Sequence, residues 1–357
     1  MKKTLFIMLA LAIVLAALMA GCANNNQQQS PTPAAESPGV TPPGEAGDLK
    51  TGLGMVISVE KSANAADGND TLAQADVIMA AVTLDAQGTI AGVKIDSTQT
   101  RLNFNAQGQL TTDIAAEQKT KVELGDAYGM ARVSGIGKEW YEQIAALEDW
   151  MTGKTVDEVM ALQTNAQGAP EEADLTSSVT MGVPDYLKAV QKAAANAKDF
   201  GTVTTGETKT GLGTVISLAK SKGAAADEEG VAQTDNVAAA VTIDENGVIS
   251  GVMIDTAQVI IHVNQEGAVT TDLATEQRTK VEQGDAYGMA QVSGIGKEWY
   301  EQIAALGQWM IGKTIDQVTQ MQLDAEGKPA ETDIVSSVTI RVGDYIKAVQ
   351  KAFANAG

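Results

Sequence analysis

A single cysteine, Cys22, and a single histidine, His262, occur among the 357 residues of this sequence. Because Cys22 lies near the N-terminus, the rest of the chain contains no disulfide, no thiolate metal site and no thiol nucleophile. The chain is repeated, and the counterpart of His262 in the other copy is Asn103, so a histidine triad or zinc site would exist in one copy only. His262 lies in an alternating apolar run, which predicts the polar face of a strand.

Positive charge and aromatic residues are also scarce. Lysine and arginine number 25 against 45 acidic residues, which gives a net charge of −20. A chain this acidic repels a phosphate backbone, so nucleic acid is excluded as an expected partner. Aromatic residues make up 4% of the chain, yet every tryptophan and tyrosine falls in the C-terminal part of a repeat. Trp140 is predicted to be core, whereas Tyr128, Tyr141 and Tyr287 are candidates to stack on a planar ligand.

The sequence is a tandem duplication. Residues 125–147 recur as residues 284–306 with one change, Arg132 to Gln291, and a shift of 159 residues aligns the copies without insertion or deletion. Each copy is long enough to bury a core of its own. We therefore predict two domains, residues 50–198 and 209–357, joined by a linker of residues 199–208.

The N-terminus has the features of a bacterial lipoprotein signal. Two lysines precede an apolar run, which ends at Met19-Ala-Gly-Cys22, and this junction resembles a lipobox. A transmembrane anchor is the alternative, but the apolar run stops at Gly21. We predict a signal peptide at residues 1–21, lipid attachment at Cys22 and a disordered tether at residues 22–49. The expected location is the extracytoplasmic face of the cell membrane, with the membrane as partner through the lipid.

The first part of each copy reads as strands. Residues 53–59 form a strand-like run, and residues 77–84 and 89–95 flank the turn Asp85-Ala-Gln-Gly88, which is typical of a hairpin. Residues 102–104 suggest a third antiparallel strand. The predicted fold class is α+β, with a small antiparallel sheet packed with helices in each copy.

Helices are predicted after residue 113. The expected helices are residues 114–124, a helix from Trp140 to Gly153, a short helix after a capping box, and residues 185–197. The capping box is Thr155-Val-Asp-Glu158, with Thr314-Ile-Asp-Gln317 as its counterpart. Asp185 and Asp344 are candidate N-caps, and residues 177–183 are a candidate strand.

The segment Ser134-Gly-Ile-Gly-Lys138 invites comparison with a phosphate-binding loop. The Walker pattern fails, because Arg132 stands where glycine is required and Glu139 where serine or threonine is required. A turn that caps the following helix is the favoured interpretation, and a noncovalent phosphate contact is the alternative.

The most specific motif is Asp174-Leu-Thr-Ser-Ser-Val-Thr180, which recurs as Asp333-Ile-Val-Ser-Ser-Val-Thr339. Both segments resemble the flavin-attachment motif of the FMN-binding domain family, which occurs in quinone oxidoreductase subunits and in lipoproteins of extracellular electron transfer. The motif departs from the family at Val179 and Val338, where the family has alanine, and a β-branched residue stiffens the segment.

The resemblance implies a function for each motif residue. Thr180 and Thr339 would carry FMN through a phosphoester bond made by a separate FMN transferase. Ser177, Ser336, Asp174 and Asp333 fall on the family spacing, and the two aspartates would be recognised by the transferase.

The resemblance thus implies an electron carrier rather than a turnover enzyme, which exchanges electrons with membrane redox proteins. The alternative hypothesis is a noncatalytic surface lipoprotein that binds a small molecule, a protein or the envelope.

Overall fold

The structure is a computed structural model that describes residues 47–66, 68–204 and 206–357. The predicted signal peptide and Cys22 lie outside these residues. So does the predicted tether, except that its last residues, from Gly47, begin the first strand. Among the described residues, no helix is long and apolar enough to cross a membrane.

The first copy consists of long strands followed by helices. The strands are β1 (Gly47–Ser58), β2 (Thr71–Leu84) and β3 (Ile90–Phe104). The helices are α1 (Lys121–Leu124), α2 (Trp140–Met151), α3 (Val156–Met160), α4 (Ala173–Thr176) and α5 (Pro184–Asn196). Two 3₁₀ turns, Gly125–Tyr128 and Met130–Arg132, connect α1 to α2.

The second copy repeats this order after an additional strand. The strands are β4 (Lys198–Thr204), β5 (Lys209–Ser217), β6 (Gly230–Ile243) and β7 (Ile249–Val263). The helices are α6 (Lys280–Gln283), α7 (Trp299–Met310), α8 (Ile315–Thr319) and α9 (Gly343–Ala354). The 3₁₀ turns Gly284–Tyr287 and Met289–Gln291 also recur, whereas residues 332–337 form turns where the first copy has α4.

The strands form two antiparallel sheets, which confirms the predicted fold class. Their orders are β3-β2-β1-β4 and β5-β6-β7 among the described strands. The predicted hairpin is also confirmed, because the Asp85 carboxylate accepts the N–H groups of Gln87 and Thr89 at 2.9 and 2.8 Å. Gly88 closes this turn with a φ of 81°, a value that favours glycine.

Two predictions about extended segments were wrong. Residues 102–104 are the end of β3 rather than a separate strand. Residues 177–183 form turns, because the N–H groups of Ser178 and Val179 bond back to the Leu175 carbonyl. The predicted linker, 199–208, contains most of β4, which pairs with β1. Alternating apolar residues do not distinguish a strand from a turn whose every second side chain is buried.

The helix predictions were right in kind and partly wrong in extent. The helix predicted at 114–124 begins only after Thr120, whose hydroxyl caps α1. The predicted box at Thr155 is confirmed, and so is its counterpart at Thr314. Asp185 is not an N-cap, because Val183 holds that position and Pro184 begins α5. The second copy has the same arrangement, with Val342 in the cap position.

Helices cover one face of each sheet, and the other faces pack against each other. Copy-specific clusters bury α2 and α5 on the first sheet and α7 and α9 on the second. Two further apolar clusters contain residues of both copies. Residues Leu53, Met55 and Met79, for example, share a cluster with Leu212 and Ala240. The prediction that each copy folds by itself stays a prediction, but in the intact chain the copies share a core.

Glycines in the first strand of each copy permit the close approach of a helix. A Cβ atom at Gly52 would lie 2.0 Å from the Ala193 carbonyl oxygen of α5, and one at Gly211 would lie 2.0 Å from that of Ala352 in α9. No side chain fits at these distances. The Thr-Gly-Leu-Gly segment that both copies share therefore seats the last helix directly on the sheet.

Candidate functional site

Thr180 and Thr339 lie on an irregular segment just ahead of the last helix of their copy. Thr180 is exposed and Thr339 is half-buried. The preceding residue of each is part of the core, since Val179 is 1% exposed and Val338 0%. The buried valine therefore anchors the segment to the core of its copy, while the threonine that follows it is more exposed.

A buried glutamine holds each threonine in place. The Gln143 side-chain carbonyl accepts the N–H of Thr180 at 2.9 Å and its hydroxyl at 3.4 Å. Its amide nitrogen donates to Ser134 Oγ at 3.2 Å and to the Lys138 carbonyl at 3.3 Å. Gln143 thus links the threonine segment to the loop that both copies share.

The second copy repeats this arrangement. Gln302 accepts the N–H of Thr339 at 2.9 Å and its hydroxyl at 3.2 Å, and it donates to Ser293 Oγ at 3.2 Å. If the hydroxyl proton of the threonine were replaced, the backbone N–H would still bond to the glutamine. Modification of the hydroxyl is therefore compatible with a fixed segment.

A lysine lies over two aromatic rings in each copy. Lys121 Nζ is 5.0 Å from the centre of the Tyr128 ring and 5.2 Å from that of Trp140. Lys280 Nζ is 4.9 Å from the Tyr287 ring and 5.3 Å from the Trp299 ring. Such cation–π contacts stabilise an ammonium group that has lost part of its hydration.

Lys280 is 8% exposed and lines a cavity. Among the described residues, no carboxylate lies within 4.0 Å of its ammonium group. A buried cation without an anionic partner is costly, so a ligand that supplies negative charge at this point would be stabilised.

The tryptophan beneath the lysine is held by a tyrosine from the last helix. Trp140 Nε1 donates to the Tyr186 hydroxyl at 2.9 Å, and Trp299 Nε1 donates to that of Tyr345 at 3.0 Å. Burial raises the pKa of Tyr186 to about 12, and that of Tyr345 likewise to about 12. Both phenols therefore stay neutral at physiological pH and serve to position the indole.

A buried aspartate positions the helix that carries the lysine. Asp96 Oδ1 accepts the N–H groups of Ser97 and Val122 at 2.7 and 3.2 Å. In the second copy, Asp255 Oδ1 accepts those of Thr256 and Val281 at 2.6 and 3.1 Å. Burial raises the pKa of Asp96 to about 6 and that of Asp255 to about 7. These carboxyl groups fix the start of α1 and α6, directly beside the two lysines.

In the first copy these elements surround a cavity of about 740 Å³. Its lining includes Met181, which directly follows Thr180, together with Lys121 and Tyr128. Arg101 and Lys119 add positive charge to the same walls. Cofactor sites have this range of volumes, so the cavity is large enough for a nucleotide-sized ligand beside the Thr180 segment.

The cavity that Lys280 lines in the second copy is smaller, differently charged and only partly equivalent, because Lys280 and Tyr345 are the two lining residues that it shares with the equivalent positions of the first cavity. Its volume is about 430 Å³, and Lys280, Arg341 and Tyr345 line it. Arg341 follows Thr339 by two residues, whereas Ile260 stands in the place of Arg101. Asp235 also lines it and pairs with Lys220 at 3.1 Å. The first copy therefore offers more unpaired positive charge to an anionic ligand.

The other predicted site residues are not gathered around these cavities. Ser177, Ser336 and Asp174 are exposed. Asp333 accepts the Trp309 indole N–H at 3.0 Å. Their predicted recognition by a transferase stays a prediction, and their exposure is compatible with it.

Two of the three candidate tyrosines contact the lysine. Tyr128 and Tyr287 each lie beneath the ammonium group of their copy. Tyr141 instead donates its hydroxyl to Asp126 at 3.1 Å, on the outside of α2. His262 lies on β7, which confirms its interpretation as a strand residue.

The loop at residues 134–138 does not have the character of a phosphate cradle. The backbone N–H of Glu139, which caps α2, donates to Glu142 at 2.7 Å, while the Glu139 carboxylate accepts the N–H of Met130 at 2.7 Å. Two carboxylates therefore already neutralise this helix terminus. These bonds support the favoured interpretation of the loop as a turn that caps α2. They do not support the alternative, a noncovalent phosphate contact.

Sequence reasoning missed the glutamines and the lysines of the site. Gln143 occupies a buried position on an otherwise apolar helix face, and Lys121 follows the capping threonine of α1. A polar residue placed on an apolar stripe was the available signal for Gln143. The position of Lys121 in the sequence does not predict its contact with the Tyr128 and Trp140 rings.

Comparison with known proteins gives one partial match of note. No protein-family model matches the chain, and no solved structure matches it. The chain is 39% identical over 93 residues to a chlorophenol reductase from Desulfitobacterium hafniense. This match covers 25% of the chain and 28% of that protein, so the chain spans little more than a quarter of the relative. The name of the relative denotes redox chemistry, and the FMN-binding domain family remains a resemblance.

Proposed function

We propose that the protein is a membrane-tethered, extracytoplasmic electron carrier that holds FMN covalently at Thr180 and Thr339. Bound FMN would supply the electron-accepting and electron-donating chemistry, and the protein would supply attachment and an electrostatic setting. The observation that carries the proposal is the fixed, outward-facing Thr180, whose neighbour Met181 lines a large cationic and aromatic cavity.

The residues of the first cavity suit a phosphorylated aromatic group. Arg101, Lys119 and Lys121 would balance the negative charge of a phosphate and of a reduced ring. Tyr128 offers an aromatic surface for a planar ring. In the second copy, Lys280 and Arg341 would have these electrostatic roles. The partial similarity to a protein named as a reductase also supports a redox role.

The location and partners of the carrier follow from the N-terminal sequence and the resemblance. Lipid attachment at Cys22 would hold the copies at the membrane, where a separate FMN transferase and membrane redox proteins would reach them. Val133 and Val292 are 86% and 85% exposed on the shared loop of each copy. In this proposal, these exposed side chains would contact the protein partner.

The same exposed valines favour the second candidate function, a noncatalytic surface lipoprotein that binds a small molecule, a protein or the envelope. Val179 and Val338, where the family has alanine, also favour it. The two functions differ in one readily observed property, which is the presence of a flavin chromophore.

Intact-mass analysis after co-expression with an FMN transferase tests the proposal. We expect up to two added FMN groups, with one lost in Thr180→Ala and one in Thr339→Ala. Thr176→Ala, at an exposed threonine within the motif that is not the proposed attachment residue, is the matched control and should keep both. A colourless protein without added mass, purified from its native host as well, would contradict flavin attachment and favour the second function.

Two further variants separate attachment from electrostatics. Lys121→Met should retain the added mass at Thr180 but lower the reduction potential of that site, since a positive charge that stabilises the reduced ring is removed. Because Val179 is buried in the core, Val179→Ala should destabilise the fold by about 1–3 kcal/mol rather than raise FMN occupancy.

A further inference from the structure

Among the buried positions at which the two copies differ, one lies between the sheet and the helix that follows the shared loop. In the first copy, Glu148 of α2 packs against β3, where its Oε1 accepts the N–H of Ile95 at 2.6 Å. Its Oε2 lies 3.6 Å from Lys94 Nζ. The equivalent residues of the second copy are Gly307 and Met253, so both members of this ion pair are absent there.

A cavity of about 220 Å³ lies at Gly307 in the second copy. Val252, Ile254 and Ile303 form its floor, and the Phe200 and Tyr300 rings contribute to its walls. Phe200 belongs to β4, the strand between the copies. The Thr202 hydroxyl, also on β4, donates to the Ser250 carbonyl of β7 at 2.7 Å. An apolar cavity of about 150 Å³ is sufficient for benzene, so this cavity is large enough for a single substituted ring.

The lining specifies the chemistry of a ligand. Lys198 and Asp199 lie at the cavity with opposite charges, which gives no preference for an ionic ligand. The Tyr300 hydroxyl already donates to Asp285 at 3.1 Å, so its ring is left as an apolar surface. Ile254 stands in the place of Ile95, but the carboxylate that accepts the Ile95 N–H is absent, because Gly307 replaces it.

We propose that this cavity, bounded by β4, β7 and α7, binds a small neutral aromatic molecule that carries an oxygen acceptor, of the size of a phenol. The ring packs between Phe200 and Tyr300, and the oxygen accepts the Ile254 N–H, whose counterpart in the first copy, the Ile95 N–H, donates to Glu148. The site does not depend on flavin. A cavity of about 260 Å³ lies at the equivalent place of the first copy, but there the Glu148 carboxylate lines the cavity and accepts the Ile95 N–H.

Titration of the full-length protein with phenol, followed in amide proton–nitrogen spectra, tests this assignment. We expect saturable shifts at Gly307 and Ile254. Gly307→Leu fills the cavity and should weaken binding by at least about tenfold, a free-energy difference of about 1.4 kcal/mol. Gly307→Ala provides a milder variant, since its Cβ would lie 3.4 Å from the Val252 carbonyl oxygen, and it should weaken binding measurably. Shifts that persist unchanged in both variants overturn the proposal.

Exchange of residues between the copies gives a sharper test. Gly307→Glu combined with Met253→Lys recreates the ion pair and should abolish binding. Glu148→Gly combined with Lys94→Met should create a second phenol site in the first copy. Gln291→Arg, an exchange at an exposed position outside the cavity, is the matched control and should leave binding unchanged.

A second ligand tests the assigned hydrogen bond. Cyclohexane should bind more weakly than phenol, and equal affinity would overturn the assigned role of the Ile254 N–H.

Discussion

The Oγ1 atom of Thr83 lies 2.7 Å from the Oγ1 atom of Thr242, the residue at the same position of the second copy, 159 residues further along the chain. Thr83 also bonds to Thr210 at 2.7 Å, and Thr242 to Thr51 at 2.6 Å. These four buried hydroxyls form a chain between the sheets. A residue that meets its own counterpart marks a local two-fold axis, as in the interface of a symmetric dimer.

This relationship bears on the prediction that residues 50–198 and 209–357 fold independently. Each fragment contains a complete set of strands and helices, but its inner face is apolar and is covered by the other copy. We expect each fragment, expressed alone, to unfold cooperatively and to self-associate through that face. Light scattering together with denaturant unfolding measures both properties. Fragments that are disordered apart and folded only when mixed would contradict independent folding.

Thr83→Val should destabilise the intact protein. The substitution preserves shape but leaves the buried hydroxyls of Thr210 and Thr242 with one partner fewer, at a cost of about 1–3 kcal/mol. Replacement of all four threonines by valine should recover most of that loss, since no buried hydroxyl is then left without a partner. Urea unfolding gives both values. An additive loss across the four substitutions would show that the hydroxyls do not act as a connected chain.

Gln143→Leu should release the Thr180 segment without unfolding the first copy. The Thr180 N–H loses its acceptor, and we expect its hydrogen exchange to accelerate by at least about tenfold. Gln302→Leu is the matched variant and should affect Thr339 but not Thr180. If exchange at Thr180 is equally slow in Gln143→Leu, the glutamine is not what holds the segment.

Stability should fall as the pH rises from about 4 to about 7. Burial raises the pKa of Asp96 to about 6 and that of Asp255 to about 7. It also raises the pKa of Glu148 to about 7, against the opposing effect of Lys94. Because carboxyl groups of the unfolded chain titrate at about 4, the folded state binds more protons within this window, and raising the pH favours unfolding.

Asp255→Asn should reduce this pH dependence, because the asparagine oxygen can accept the same backbone N–H groups without titrating. Urea midpoints at the two ends of the pH window, compared between the variant and the natural protein, provide the measurement. Asp227→Asn, at an exposed position, serves as the control. A slope unchanged by Asp255→Asn would mean that Asp255 titrates normally in the folded state.

Cys22→Ser tests the predicted anchor. We expect the variant to lose lipid and to appear in the soluble or extracellular fraction, because the tether then has no acyl chain to insert in the membrane. Cell fractionation and mass spectrometry of the mature N-terminus measure the outcome. Continued membrane retention with unchanged processing would exclude Cys22 as the anchor.

Much of the local structure follows from the sequence. The hairpin turn at Asp85–Gly88, the capping box at Thr155 and the apolar face of α2 are determined by residues a few positions apart, so local patterns suffice to predict them. The duplication is likewise evident from the identity of the two copies. The burial of Trp140 was predicted correctly for the same reason, since it repeats at helical spacing with Ile144 and Leu147.

Tertiary structure decided the rest. Alternation at residues 177–183 suggested a strand, but Val179 is buried by a turn against the core of the copy, which no local pattern shows. The face-to-face packing of the sheets, and with it the Thr83–Thr242 bond, depends on contacts between residues more than a hundred positions apart. The Lys121 ammonium group meets Tyr128 and Trp140 only because Asp96, on β3, fixes the start of α1. Long-range packing places these groups, so the sequence specified the chemical parts of the candidate site and the fold determined which of them meet.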